Sequence, residues 1–123
     1  MQYEYFYGAQ AEQFSFYRIP KALFTEPNFR ELSTDAKVLY GILLDRMSLS
    51  LKNQWLDAQN KVYIIFTVEE IMDALNCANQ KATRLMVELE KQAGLIERKR
   101  QGLGRPNLIY VKNFAATING KSC

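Results

Sequence analysis

Apolar side chains cover most of the helical circumference over residues 36–49, the most extensive hydrophobic pattern in the chain. Ser33 and Asp35 stand at the start of this stretch, where side-chain oxygens can satisfy free backbone N–H groups and a negative charge suits the helix dipole. A helix that is apolar on nearly all sides is contacted from several directions. The pattern therefore predicts a central helix that runs from Ser33 to about Leu49.

A pair of short helices is predicted after the central helix and its polar connection. Thr67 and Glu70 have the spacing of a capping box, which opens a helix that ends near Leu75. After a tight turn, Asn79 is expected to cap a second helix over residues 80–92. Helical spacing places four apolar residues on the inner face of this second helix: Ala82, Leu85, Met86 and Leu89.

Three runs have the length and composition of strands. Residues 62–66 are continuously β-branched and aromatic, and they precede the helix pair. Residues 95–100 and 107–112 follow it and flank a polar, glycine-rich loop over residues 101–106. The last two runs therefore predict a β-hairpin.

Aromatic residues dominate the N-terminal part of the chain, in two runs over residues 2–7 and 13–19. Strand-forming residues on either side of a glycine-containing loop predict a hairpin arm. The rings can cap the molecule's own core or form an interface between copies, where Tyr and Phe are enriched. For the second case, the expected interface residues are Tyr3, Tyr5, Phe6, Tyr7, Phe14 and Phe16.

The order of elements is helix, strand, helix, turn, helix, strand, basic loop and strand. This order predicts an α+β fold, a winged helix-turn-helix with an extra N-terminal β-hairpin arm. The expected divisions are an oligomerisation arm over residues 1–19, a winged-helix domain over 20–112, and a tail or linker over 113–123.

The composition excludes several kinds of chemistry. The 123 residues contain no histidine, which removes Ser-His-Asp and Cys-His sites, and the two cysteines, Cys77 and Cys123, lack metal-ligand spacing. We therefore expect no catalytic residue, metal or cofactor. The chain also has no apolar run near the ~20 residues of a membrane span, so we expect a cytoplasmic protein without a membrane partner.

Charge is segregated along the chain although the net charge is only +3. Residues 1–75 contain seven basic and ten acidic residues, a net charge of −3. Residues 76–112 contain eight basic and three acidic residues, a net charge of +5. The predicted second helix and hairpin thus carry the positive charge, as expected of a surface that meets a polyanion.

These positions give a set of candidate contacts with double-stranded DNA, because Gln, Asn and Arg can read base edges and Lys and Arg pair with phosphates. In the recognition helix the candidates are Asn79, Gln80, Lys81, Thr83, Arg84 and Lys91. In the wing they are Arg98, Lys99, Arg100, Gln101, Arg105 and Asn107. Further backbone contacts are expected from Lys52, Asn53 and Thr67, whereas we favour an ion pair with a nearby acid for Arg46.

Residues 14–112 resemble the N-terminal domain of the RepA_N plasmid replication initiators of Gram-positive bacteria. The most specific segments are LLDRMSLS (residues 43–50) and LIERKRQGLGRPN (residues 95–107). Shorter similar segments are residues 16–24, 32–42, 53–55 and 62–67.

The resemblance implies a protein that binds repeated origin sites, called iterons, and nucleates replisome assembly. It also implies self-association, and contacts with host replication proteins through a C-terminal domain that is absent from these 123 residues. The chain is therefore expected to be a fragment of a longer initiator.

Other functions stay open at this level. One is a winged-helix transcriptional regulator, although the sequence offers no obvious sensor. Another is a protein-interaction winged helix of a primosomal protein, in which the basic residues would be dispensable. An enzyme is disfavoured, because paired acids such as Glu69 and Glu70 are explained by the first turn of a helix.

Overall fold

Four helices and one two-stranded sheet make up the described part of the protein, residues 2–8 and 14–115 of a computed structural model. The mixture of helices and a small antiparallel sheet is that of the predicted α+β class. In that part, no helix is long and apolar enough to cross a membrane. The helices are α1 (Ala22–Thr25), α2 (Thr34–Lys52), α3 (Val68–Leu75) and α4 (Asn79–Val87), and the strands are β1 (Ile96–Lys99) and β2 (Leu108–Val111). Short turns of 3-10 helix (Pro27–Phe29) and π-helix (Glu88–Gln92) complete the order.

Helix α2 is the central element, as predicted. The Ser33 hydroxyl accepts a hydrogen bond from the Ala36 N–H at 3.1 Å and so caps the helix. The helix continues to Lys52, one turn beyond the predicted end. At Gly41 the segment of residues 18–19 crosses so closely that a Cβ would lie 3.0 Å from the Arg18 carbonyl oxygen and 2.9 Å from Ile19 Cγ1 of the side chain. The absence of a side chain at Gly41 therefore lets the N-terminal segment lie against the helix.

The helix pair is confirmed with one correction. Thr67 and Glu70 form the predicted capping box of α3, and Asn76 ends α3 in a left-handed conformation with φ of 52°. The cap of α4 is Ala78, without a side-chain hydrogen bond, so the prediction that Asn79 caps this helix was wrong. Because the turn is short, the helix begins one residue earlier and Asn79 lies in its first turn. The predicted inner face is confirmed, since Ala82, Leu85, Met86 and Leu89 are all buried.

Helix α4 widens into a π-helical turn at its end instead of staying regular to residue 92. The Ala93 N–H donates to the Glu88 carbonyl at 3.0 Å, five residues back. Glu88 and Leu89 are buried and Glu90 is half-buried, so three consecutive residues face the protein. Because consecutive side chains of an α-helix point 100° apart, three in a row do not normally share one face. The wider π-helical turn coincides with the three inward-facing residues 88–90.

The predicted hairpin of β1 and β2 is confirmed, with Ile96 opposite Val111 and Lys99 opposite Leu108. The strand predicted over residues 62–66 was wrong as a continuous element. Ile64 alone pairs with Ile109, through two backbone hydrogen bonds of 2.9 Å. The residues on either side of Ile64 have other partners. Val62 pairs with Leu56 in the preceding connection, and Thr67 already caps α3.

The connection over residues 53–61 is held by a carboxylate. Asp57 accepts hydrogen bonds from the N–H groups of Lys61 and Gln59 at 2.8 and 2.9 Å, and from the Tyr110 hydroxyl at 3.0 Å. The hydrogen bond from Lys61 is the main cause that lowers the pKa of Asp57, and those from Tyr110 and Gln59 lower it further. Trp55 stacks on Tyr63 beside this loop. The predicted polar connection is therefore tied to β2.

The predicted N-terminal β-hairpin is not found in the described residues. The structure assigns neither 2–7 nor 14–19 to a strand, and residues 9–13 lie outside the description. The two segments meet instead through the Phe6 and Phe14 rings, whose centroids are 5.9 Å apart, and within the second segment the Phe14 and Phe16 centroids are 6.3 Å apart. Edge-to-face ring contacts thus take the place of a strand ladder in the described residues.

The first residues of the predicted tail pack on the core. Phe114 lies 5.1 Å from the Phe29 ring and 5.9 Å from the Tyr40 ring. The Tyr40 hydroxyl donates to the Lys112 carbonyl at 2.8 Å, and burial raises the pKa of Tyr40 to about 12. Residues 116–123 lie outside the description.

A buried carboxylate joins the start of α2 to the end of α4. Glu88 is 8% exposed, and its two oxygens accept hydrogen bonds from the Ser33 N–H and the Ser33 hydroxyl, each at 2.8 Å. Because the Ser33 hydroxyl itself accepts from the Ala36 N–H, Glu88 completes the cap of α2 from 55 residues away. The positive end of the helix dipole favours this negative charge.

We expect Glu88→Gln to lower the free energy of unfolding by about 1–3 kcal/mol. The amide has one accepting oxygen where the carboxylate has two, so a charge-assisted hydrogen bond from Ser33 is lost. Urea unfolding followed by circular dichroism measures the change. Glu31→Gln, an exposed acid in the loop before α2, is the matched control and should change stability by less than about 0.5 kcal/mol. Equal losses in the two variants would contradict a specific role for Glu88.

Candidate nucleic-acid interface

Helix α4 presents a polar face opposite its buried one. The predicted contacts Gln80, Thr83 and Arg84 are exposed, as is Lys91 in the π-helical turn. Asn79 is also exposed, and its side-chain oxygen lies 3.5 Å from the Thr83 hydroxyl. The structure therefore leaves these side chains available to a ligand.

Lys81 differs from its neighbours because it is already paired. Its Nζ lies 2.7 Å from Asp35 Oδ2, in the first turn of α2, and both side chains are about half exposed. An exposed ion pair of this kind contributes only about 0–1 kcal/mol. The pair therefore holds Lys81 weakly, and a phosphate can replace Asp35 as its partner.

Arg98 is held much more firmly. Its guanidinium donates to Glu90 Oε1 at 2.7 and 2.9 Å, and its backbone N–H donates to Glu90 Oε2 at 3.2 Å. The Arg98 side chain is only 26% exposed. These bonds attach β1 to the π-helical turn after α4, which gives Arg98 a structural role that its sequence neighbours do not indicate.

The pKa of Glu90 reflects this attachment. Burial would raise it, but the hydrogen bonds from Arg98 and its positive charge together lower it below the ordinary value. Helical spacing predicts Glu88 on the outer face of the second helix, which is wrong because Glu88 is buried, and it makes no prediction for Glu90 beyond its charge. Their inward direction could not be read from helical spacing, because the π-helical turn changes the angle at which these residues leave the helix.

The hairpin loop carries the remaining predicted contacts on its surface. The side chains concerned are all exposed: Lys99, Arg100, Gln101, Arg105 and Asn107. Gly102 and Gly104 adopt positive φ values of 120° and 77°, and Leu103 between them is fully exposed. Leu103 was not among the contacts predicted from the sequence, although the Gly-Leu-Gly pattern at the loop tip was a signal for it.

The additional predicted contacts are divided by the structure. Thr67 lines the same cleft of about 260 Å³ as Arg98, Arg105 and Asn107, between the start of α3 and the hairpin. Lys52 and Asn53 are exposed at the end of α2 and do not line this cleft. Apart from Lys52 and Asn53, the predicted contact residues therefore lie on α4 and the turn after it, at the start of α3, and on the hairpin.

Arg46 forms the ion pair expected from the sequence. Its Nη2 lies 3.0 Å from Glu70 Oε2, and its guanidinium lies over the Phe66 ring, 4.8 Å from the centroid.

Comparison with known protein families identifies a family to which the chain is related. The family model described as "Replication initiator protein A (RepA) N-terminus" matches residues 15–122. The chain belongs to this family. The RepA relationship that residues 14–112 suggested is thus confirmed, with nearly the same limits.

A curated protein is also similar to this chain. The chain is 32% identical over 92 residues to a "41 kDa protein" of Lactobacillus helveticus, a match that covers 75% of this chain and 26% of that protein. The chain thus spans about a quarter of the length of this curated relative.

Solved structures are also similar to this RepA-family chain. One, described as "N-Terminal domain of DNA binding protein", has a TM-score of 0.74 at 35% identity and covers 98% of this chain and 96% of its own. A second, "Structure of Rep-DNA complex", has a TM-score of 0.74 at 35% identity, with coverages of 97% and 95%. A third, "Structure of MDR initiator", has a TM-score of 0.70 at 37% identity, with coverages of 98% and 99%.

The attachment of Glu90 to Arg98 should make stability depend on pH. Because folding lowers the pKa of Glu90, the stabilisation is complete above the unfolded value of about 4.3 and is lost as the pH falls below it towards the folded value. Wild-type protein should therefore lose more stability between pH 6 and about 3 than Glu90→Gln does in urea unfolding. Glu97→Gln, whose exposed carboxylate lies 3.9 Å from Lys112, should keep the wild-type dependence. Parallel profiles for wild type and Glu90→Gln would contradict this role of the carboxylate.

Proposed function

We propose that residues 20–112 form a winged helix-turn-helix that binds double-stranded DNA at repeated origin sites and thereby starts plasmid replication. In this assignment α3 and α4 are the two helices, α4 is the recognition helix, and the β1–β2 hairpin is the wing. The bridge between Ile64 and Ile109 supplies the short third strand of such a domain.

The observation that carries the proposal is the way charge is divided within residues 76–112. All three acids of this segment have partners: Glu88 and Glu90 point inward to Ser33 and Arg98, and Glu97 lies near Lys112. Five cations form no salt bridge with any described residue: Arg84, Lys91, Lys99, Arg100 and Arg105. These five cations of the recognition helix and wing thus present positive charge that no described carboxylate pairs with.

Each part has a defined task in binding. Gln80, Thr83 and Arg84 meet base edges in the major groove, and Lys81 exchanges Asp35 for the DNA. The wing cations Lys99, Arg100 and Arg105 pair with phosphates, whereas Arg98 positions the wing through Glu90. With four to six phosphate contacts, the log–log dependence of affinity on salt should have a slope of about −4 to −5.

Initiation then follows from arrangement rather than from catalysis. Several copies on adjacent repeats bring many copies of the rest of a longer initiator to one locus, which raises its effective concentration for host replication proteins. A transcriptional regulator on the same fold would instead occupy a single site near a promoter, and footprinting distinguishes the two arrangements.

We also propose that the N-terminal arm pairs two copies of the chain. Its rings are 52–84% exposed, far more than the core aromatics. Exposed aromatic clusters of this size are typical of protein interfaces. The interface would consist of Tyr3, Tyr5, Phe6, Tyr7, Phe14 and Phe16.

Arg84→Ala and Arg100→Ala should weaken DNA binding in different ways. A duplex selected by wild-type protein from a randomised library, and its scrambled counterpart, serve as probes in fluorescence anisotropy at two salt concentrations. Arg84→Ala should cost about 1–3 kcal/mol on the selected duplex only, because it removes a base contact. Arg100→Ala should weaken both duplexes and reduce the salt slope by about 0.9, because it removes a phosphate contact. Arg30→Ala, an exposed arginine before α2, is the control. Unchanged affinity in both variants would favour a protein-interaction domain instead.

Replacing Tyr5 and Phe6 with Ser should yield a folded monomer. Sedimentation velocity at tens of micromolar should show a dimer for wild type and a monomer for the variant, with circular dichroism unchanged because these rings lie outside the core. Binding to duplexes with two sites should weaken because the copies act independently. A monomeric wild-type protein at this concentration would contradict the arm interface.

A further inference from the structure

Leu103 is the most exposed large apolar residue in the described part of the chain. Its side chain is fully accessible, at 101% of the reference value, and it stands at the tip of the β1–β2 hairpin. By comparison, exposed apolar side chains of α2 such as Leu49 and Leu51 retain about half of their surface in contact with the protein. The leucine at the tip therefore contributes nothing to the core.

The loop that carries Leu103 is braced. The Gln101 side-chain amide donates to the Pro106 carbonyl at 2.7 Å across the loop, and the Arg105 N–H donates to the Gly102 carbonyl at 3.3 Å. Gly102 and Gly104 adopt backbone conformations that side chains rarely allow. A narrow tip with an apolar side chain projecting from it is the result.

Cations flank this apolar tip. Arg100 and Arg105 are exposed, and neither forms a salt bridge with a described residue. The minor groove of B-form DNA is about 6 Å wide and has phosphates along both rims. Proteins that deform DNA from this groove insert apolar side chains, leucine among them, between base steps while cations hold the backbone.

We propose that Leu103 is a wedge that enters the minor groove of bound duplex DNA, partly unstacks one base step and bends the duplex. The inference rests on the proposed DNA binding and adds deformation of the DNA to it. Burial of Leu103 between bases removes its apolar surface from water, and contacts of Arg100 and Arg105 with the rims offset the cost of unstacking. The affinity of the wing for DNA thus depends on how easily a base step unstacks as well as on the positions of the phosphates.

The test uses the duplex selected by wild-type protein, in two assays. Permanganate oxidises unstacked thymines, and 2-aminopurine fluorescence reports unstacking at steps without thymine. Wild-type protein should produce one reactive step and a bend of about 20–90°, measured by energy transfer between end-attached dyes. Leu103→Ala should lose both signals, whereas its salt slope should stay at the wild-type value because the cations remain.

Two further variants separate the wedge from general effects. Leu103→Met keeps a long apolar side chain and should retain the reactive step and the bend. Leu51→Ala removes similar apolar surface from the exposed end of α2 and should behave as wild type.

Three results would overturn the inference. One is wild-type protein that binds the selected duplex but leaves it stacked and straight, which leaves the proposed DNA binding intact. Another is a reactive step that persists in Leu103→Ala. The third is a Leu103→Ala variant that leaves the DNA signals unchanged but dissociates the protein in sedimentation, since the tip is then a protein contact. Failure of wild-type protein to select any duplex would instead overturn the proposed function on which the wedge depends.

Discussion

The paired hydrogen bonds from Ser33 to Glu88 decide how the two halves of the molecule are joined. They place the end of the α4 segment against the start of the central helix, so the exposed face of α4 has a fixed direction relative to α2. A buried carboxylate is costly unless every oxygen finds a partner, and here both do. Any rotation of α4 would leave Glu88 unsatisfied, which makes the orientation specific.

The second carboxylate of the same turn extends this constraint to the hairpin. Glu90 binds Arg98 at 2.7 Å, two residues before the exposed Arg100. Helix and hairpin are therefore attached through consecutive parts of one short π-helical turn. Glu88 and Glu90 are both directed inward, so the outer surface of residues 76–112 keeps an excess of cations. The same two carboxylates therefore determine how this part of the chain packs and which charge it exposes.

The surface produced in this way explains how a small domain of modest net charge can carry a strong local field. The net charge of the whole chain is only +3, yet five cations between residues 84 and 105 form no salt bridge with a described residue. Positive charge concentrated on a narrow surface attracts a polyanion and orients it during encounter. In the proposed complex, the polar side chains of α4 contact base edges, whereas the apolar tip at Leu103 responds to how easily a base step deforms.

The sequence by itself determined the elements whose signals are local. The capping box of Thr67 and Glu70, the inner face of α4 and the two hairpin strands could all be predicted, because caps and periodicity depend on residues a few positions apart. Tertiary structure decided the rest. Residues 62–66 have strand composition, but only Ile64 pairs with β2, and the described residues of the arm have strand-forming aromatics without a strand ladder. In the sequence, Arg98 resembles the exposed cations beside it. In the structure, its guanidinium is bound by Glu90, which lies eight residues away and is directed inward by the π-helical turn. Contacts of this kind depend on how the elements pack, which local spacing does not encode.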